Sequence, residues 1–213
     1  MKKKSRGGGA AFLLIFFPMS GWATPSTTFW APSTPYLQPY LVPHVTYDTY
    51  FWGSPAKPGG TPPAYPVDNG LTMGLLPLET VQIEAGFDLL LPGDYPLFLN
   101  AKVGSPEGDL FSGSPGWSAG IFGAGFKKDL TDYNVLHFMV GKTFPYIGMP
   151  EIGMYYGLNN KLFMSSTGQE HPLGLMAGWF SPDIKVEASW LNKIVAAWDI
   201  MTGMNVFGAT GQE

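Results

Sequence analysis

ETVQIEAGFDLLL, Glu79 to Leu91, is the stretch that decides the fold. Val81, Ile83, Ala85, Phe87 and Leu89 fall on one parity, and Gln82, Glu84, Gly86 and Asp88 on the other. Successive side chains of an extended chain point to opposite faces, so this segment has one apolar face and one polar or small face. Wound as a helix, it would gather Glu84 and Asp88 on one side but scatter the apolar residues around the axis. The period therefore predicts a strand. Asp183 to Leu191 repeats the arrangement, with Ile184, Val186, Ala188 and Trp190 against Lys185, Glu187 and Ser189. Each run has about the ~9–11 residues that a tilted strand needs to cross a bilayer. The expectation is an all-β protein, an antiparallel transmembrane β-barrel. The odd positions from Val81 to Leu89 and the even ones from Ile184 to Trp190 would face lipid.

Working outward, the same alternation recurs on both sides. His44 to Trp52, Val67 to Leu76, Leu97 to Val103, Tyr133 to Lys142, Glu151 to Leu158 and Leu173 to Trp179 all read as strands. Trp117 to Phe126 is a strand heavy in glycine, which suits a tightly curved wall. Leu136, Phe138 and Val140, and later Leu173, Leu175, Ala177 and Trp179, take the lipid side. Ile194 to Ile200 and Asn205 to Thr210 form one further strand interrupted at Thr202-Gly203. Between the strands lie turns and loops such as GSPAKPGGTPPAYP (Gly53–Pro66), Gly104 to Gly116 and Asn159 to His171. This gives about ten strands, with turns every ~8–12 residues as in an all-β barrel or sandwich. A complete barrel of this kind would have about twelve. Trp52, Tyr95, Trp117, Tyr133, Tyr146, Trp179 and Trp190 stand at strand ends, where interfacial aromatic girdles are found.

The 213 residues fit one domain behind an export signal. Lys2, Lys3, Lys4 and Arg6 precede the apolar run Ala10 to Phe17, and Gly21-Trp22-Ala23 supplies small residues for cleavage. That order predicts a secretory signal peptide over residues 1–23, with an apolar run too short to span a membrane. The barrel domain would be 24–213, opened by a Pro- and Thr-rich lead-in, 24–43, whose prolines are ill suited to a central strand. Beyond Ala23 sixteen acidic residues stand against eight basic ones, a net −8, and no arginine remains. A basic footprint for nucleic acid is missing. The chain has no cysteine, which excludes disulfides and thiolate metal sites. Charged residues make up only 13%, against about 25% in ordinary soluble domains, while aromatics reach 15%. After the signal no apolar run approaches the ~18 residues of a spanning helix. Together these features point to the cell outer membrane, with the lipid bilayer as the main partner.

The signal peptide, the segment TTFWAPST, the hairpin GLTMGLLPLETVQIEAGFDL and the later NVFGATG resemble a group of uncharacterised bacterial outer-membrane β-barrel proteins of porin-like type. The resemblance covers most of the mature chain and implies fold and compartment. It also implies a last strand ending in an aromatic residue, whereas this sequence ends Gly211-Gln212-Glu213. A C-terminally truncated barrel is the expectation that follows.

The sequence assigns no catalytic, cofactor or metal residue. His137 has no serine within three positions, and His44 and His171 are isolated. Neither a nucleophile–base arrangement nor a histidine pair with ligand spacing is present. Gly120 to Gly125 matches no phosphate-binding pattern and reads as wall. The informative polar set is instead the inward parity: Glu84, Asp88, Lys102, Glu151, Lys185 and Glu187 would line the lumen. Ions there are tolerable only if hydrated or paired. They would either plug the interior with salt bridges or line a narrow channel for small ions or solutes. An exported β-sandwich or lipocalin-like binding module, and last an outer-membrane lipid hydrolase, are the alternatives.

Overall fold

The computed structural model describes residues 35–49, 67–163, 168–188 and 191–202. Expectations for the signal peptide, for Trp52, Trp190 and the Gly53–Pro66 loop, and for Asn205–Thr210, lie outside them. The elements run β1 (Pro43–Thr49), β2 (Val67–Gly74), β3 (Gln82–Leu91), β4 (Leu97–Ser105), β5 (Gly116–Gly125), β6 (Asp132–Gly141), β7 (Met149–Gly157), β8 (Leu173–Phe180), β9 (Ile184–Ala188), β10 (Leu191–Ile194) and β11 (Ala197–Met201). A single 3₁₀ turn, Asn160–Leu162, interrupts the β7–β8 connection.

Nine strands form one antiparallel sheet in the order β1-β2-β3-β4-β5-β6-β7-β8-β11, strongly curled into a half-barrel. The closed barrel expected from the sequence is corrected on this point: among the described residues β1 and β11 are edges and do not pair with each other. A second correction concerns Asp183 to Leu191. It is not a wall strand, because among the described residues β9 pairs only with β10 in a separate two-stranded ribbon. The cause is local. Ser181 pinches the ribbon's base, its N–H donating to Ala196 O at 2.7 Å and its Oγ accepting from Ala196 N at 2.9 Å. The chain is thereby turned back, and Ala197–Met201 pairs with β8. The single strand expected over Ile194–Ile200 is split by this pinch into β10 and β11.

Within the large sheet the parity of the side chains sorts them by face. On β3 and β4, Ile83 stands opposite Val103, Ala85 opposite Ala101 and Phe87 opposite Leu99, while Glu84 faces Lys102. The first three pairs lie on the convex face and the last on the concave one. The convex face continues with exposed Leu136 and Phe138 on β6, Ile152 and Met154 on β7, and Leu173 and Leu175 on β8. Ile152 and Leu173 are each 63% exposed, although an ordinary core would claim such residues. Trp117 stacks on Phe138 across this face, with ring centroids 6.3 Å apart. Tyr133, expected in an aromatic girdle, turns inward instead and packs edge-on against Phe163.

The concave face carries the packed core. Phe122, Val135, Met139, Tyr155, Phe163 and Met176 form one buried cluster contributed by β5 to β8 and the loop after β7. Curling allows this: side chains from four strands converge on the inside, and Phe98 of β4 reaches Tyr133 of β6 at 6.3 Å. Gly153, Gly157 and Gly174 make room, with Met139, Phe163 and Tyr155 lying against them respectively.

Candidate functional site on the concave face

The site begins with the β3–β4 hairpin, whose register sets Glu84 and Lys102 side by side on the inner face. Glu84 is 3% exposed and Lys102 5%. Glu84 Oε1 lies 3.4 Å from Lys102 Nζ, and its Oε2 accepts a hydrogen bond from Gln38 N at 2.7 Å. A buried ion pair is tolerable when its remaining polar atoms are also satisfied, and the lead-in supplies that second partner.

The lead-in is therefore part of the site. Its residues 35–40 cross the concave face over several strands. Pro35 lies against Gly141 of β6, Leu37 against Gly104 of β4, and the carbonyls of Gln38 and Pro39 against Gly74 of β2. Leu41 N then bonds Gly74 O at 2.9 Å. Gly74 has no substitute here, since a β-carbon would collide with two lead-in carbonyls. The prolines that disqualify this segment as a wall strand suit a chain that lies across strands and touches the ladder at the single bridge between Tyr40 and Gly74. Its pattern gave no signal for interior packing, because Leu37 and Gln38 are buried by neighbours remote in sequence.

Asp88 is held further along β3, where Asn100 Nδ2 donates to its Oδ2 at 2.8 Å. Asp68 and Asp48 sit in register on β2 and β1, so three carboxylates occupy neighbouring strands toward one edge. On β7, Glu151 is 4% exposed, with its carboxylate folded over Gly178 of β8. Among the described residues neither of its oxygens has a hydrogen-bond partner.

Of the six residues expected in the lumen, the structure thus brings Glu84, Asp88, Lys102 and Glu151 to one concave face. It sets Lys185 apart, exposed on the ribbon and opposite Lys193. Glu187 falls on β9, with its side chain outside the described residues. His137 points inward beside Phe122, ring centroids 5.6 Å apart, and His171 is exposed. Residues not anticipated are Gln38 and Asn100. The latter follows from parity once the register is known.

The turns at the two ends carry their own polar contacts. Glu107 pairs with Lys142 at 2.8 Å and accepts from Thr143 N at 2.8 Å. Partial burial pushes its carboxyl up, but these bonds outweigh burial and hold it below the usual carboxylate range. At the opposite end Lys161 Nζ lies 2.8 Å from Asp129 Oδ2, and this bond holds the Asp129 carboxyl down. Among the described residues no group of three His, Asp or Glu converges as a metal cluster.

No family model, no curated protein and no solved structure matches this chain. The class rests on the fold alone: an all-β antiparallel half-barrel with an apolar convex face and charged groups inside.

Proposed function

We propose that this chain is an outer-membrane β-barrel protein, exported by its signal peptide, whose interior is filled: a structural surface barrel without catalytic activity. The observation that carries this reading is the polarity of the sheet. Ile152, Met154, Leu173 and Leu175 stand on the open convex face while Glu84, Lys102 and Glu151 are buried on the concave one. A sheet in water turns its apolar face inward; a sheet in lipid can do the reverse. Trp117, Tyr146 and Trp179 at one end of the strands and Tyr95 at the other support it, as interfacial anchors would stand there.

Two features support a filled interior over a porin-like channel. The aromatic and methionine cluster occupies one part of the concave face, and the lead-in crosses another. The reading also carries a requirement. In lipid the edges β1 and β11 must find backbone partners, since each unsatisfied group costs several kcal/mol. Fractionation is the test. The chain should stay with the outer membrane through salt and alkaline washes, dissolve only in detergent, and run faster unheated than boiled. Planar bilayers containing it should show no steady conductance. Recovery in the soluble periplasmic fraction would overturn the membrane assignment and favour an exported binding module. A steady ion conductance would restore the channel.

A further inference from the structure

Given the outer-membrane barrel proposed above, on which this rests, we infer that residues 35–41 of the lead-in are a plug. They seal one end of a polar passage for small cations along the inner face of β1–β4. The concave face has two unlike halves. Over β5–β8 the wall's own side chains, among them Phe122, Val135, Met139, Tyr155 and Met176, fill the interior. Over β1–β4 the register places Asp48 beside Asp68, Thr46 beside Gly70 and Glu84 beside Lys102 on the inner face, with Asp88 and Asn100 between them. Leu90 and Phe98, far from the lead-in, are the large apolar exceptions. Burial along this polar half rises in one direction. Asp48 is exposed and Asp68 and Asp88 are partly buried, whereas Thr72, Glu84 and Lys102 are each no more than 5% exposed.

The lead-in covers the buried end. The inward position beneath it is a glycine on three strands: Gly74 of β2, Gly104 of β4 and Gly141 of β6. A β-carbon on each would meet the lead-in, at Gln38 and Pro39, at Leu37 and at Pro35 respectively. The wall there offers backbone where a side chain would stand, and the lead-in takes the volume. Leu37 and Gln38 are buried as deeply as the aromatic cluster. Gln38 N donates to Glu84 Oε2 at 2.7 Å, and Leu41 N to Gly74 O at 2.9 Å. Withdrawing these residues would bare the three glycines and the Glu84–Lys102 pair, and so open the closed end of the passage to water. Among the inward residues of β1–β4, the carboxylates of Asp48, Asp68, Glu84 and Asp88 stand against one lysine, Lys102. Carboxylates lining a narrow path favour cations.

Planar-bilayer recording on the full-length chain tests the plug. The native chain should be silent. Gly74→Val, which pushes the Gln38 and Pro39 carbonyls off the wall, should carry a steady current, and so should a deletion of Pro35–Tyr40. The reversal potential in a salt gradient should mark cation preference. Faster migration of each variant unheated than boiled shows that it is folded. A second readout needs no current: Thr72→Cys should be closed to a water-soluble thiol reagent in the native background and labelled when combined with Gly74→Val. If both folded variants stay as silent as the native chain, the plug is overturned while the filled barrel stands. Protection of Thr72→Cys in the Gly74→Val background overturns it too. An anion-selective current in the variants overturns the acidic route. A native chain that conducts as the variants do overturns both the plug and the filled barrel.

Discussion

The β3–β4 hairpin and the β9–β10 ribbon are both antiparallel pairs with alternating side chains, and both hold a lysine–carboxylate contact. In the hairpin the pair is Glu84–Lys102, with side chains 4% exposed on each partner and β2 and β5 flanking it. In the ribbon it is Asp183–Lys193, with side chains 55% and 45% exposed, and among the described residues no third strand joins it. The ribbon also sets Lys185 opposite Lys193, a like-charge pairing that works against it. The same chemical contact is thus part of a packed interior in one place and a solvated ornament in the other. Neighbours decide its worth, not alternation.

The largest effect should come from breaking the hairpin's pair. Lys102→Ala leaves Glu84 buried without its cation and is expected to destabilise the chain by about 3–5 kcal/mol, measured by denaturant titration in detergent. A loss under 1 kcal/mol would mean the pair is hydrated. Next comes the convex face. Ile152→Arg should cost about 2–4 kcal/mol if the site lies near the bilayer midplane. Ile184→Arg on the ribbon should stay within about 0.5 kcal/mol, as exposed substitutions do. Equal costs would erase the distinction between wall and ribbon.

Gly74→Val sharpens the role of the lead-in. The added side chain meets the Gln38 and Pro39 carbonyls, so a loss of about 1–3 kcal/mol is expected. Protease cleavage within 35–42 should rise with it. The smallest effects belong to the exposed contacts. Asp183→Ala should cost no more than about 0.2–1 kcal/mol. Glu107, whose folded carboxyl is held low by Lys142 and Thr143, adds stability above its unfolded value near ~4.3. That contribution is lost as pH falls through the lower folded value. In Lys142→Ala the Glu107 carboxyl should titrate closer to its ordinary range, as followed by carboxylate NMR.

The two segments with the clearest alternation had different fates, and this marks how far the sequence could be read. Period 2 at Val81–Leu89 correctly separates the faces of β3, because parity is a property of the backbone itself. It carries no information on which strand lies alongside. Asp183–Leu191 has the same period, yet the Ser181–Ala196 pinch sends it out of the sheet. The inward positions of Glu84, Asp88, Lys102 and Glu151 were legible for the same reason. The inward cluster of Phe122, Met139, Tyr155 and Met176 was foreshadowed by parity but not by any expectation of a wet lumen. The lead-in was read only for what prolines forbid, and its contacts to Gly74, Gly104 and Gly141 are all long-range.

One measurement bears most directly on whether the convex face lies in lipid. The native chain has no cysteine, so single cysteines can be placed in turn from Glu151 to Tyr156 on β7 and exposed to a lipid-phase probe in the membrane-bound protein. Labelling at Ile152, Met154 and Tyr156, with protection at Glu151, Gly153 and Tyr155, is the expected result. Uniform protection, or labelling on the opposite parity, would contradict it.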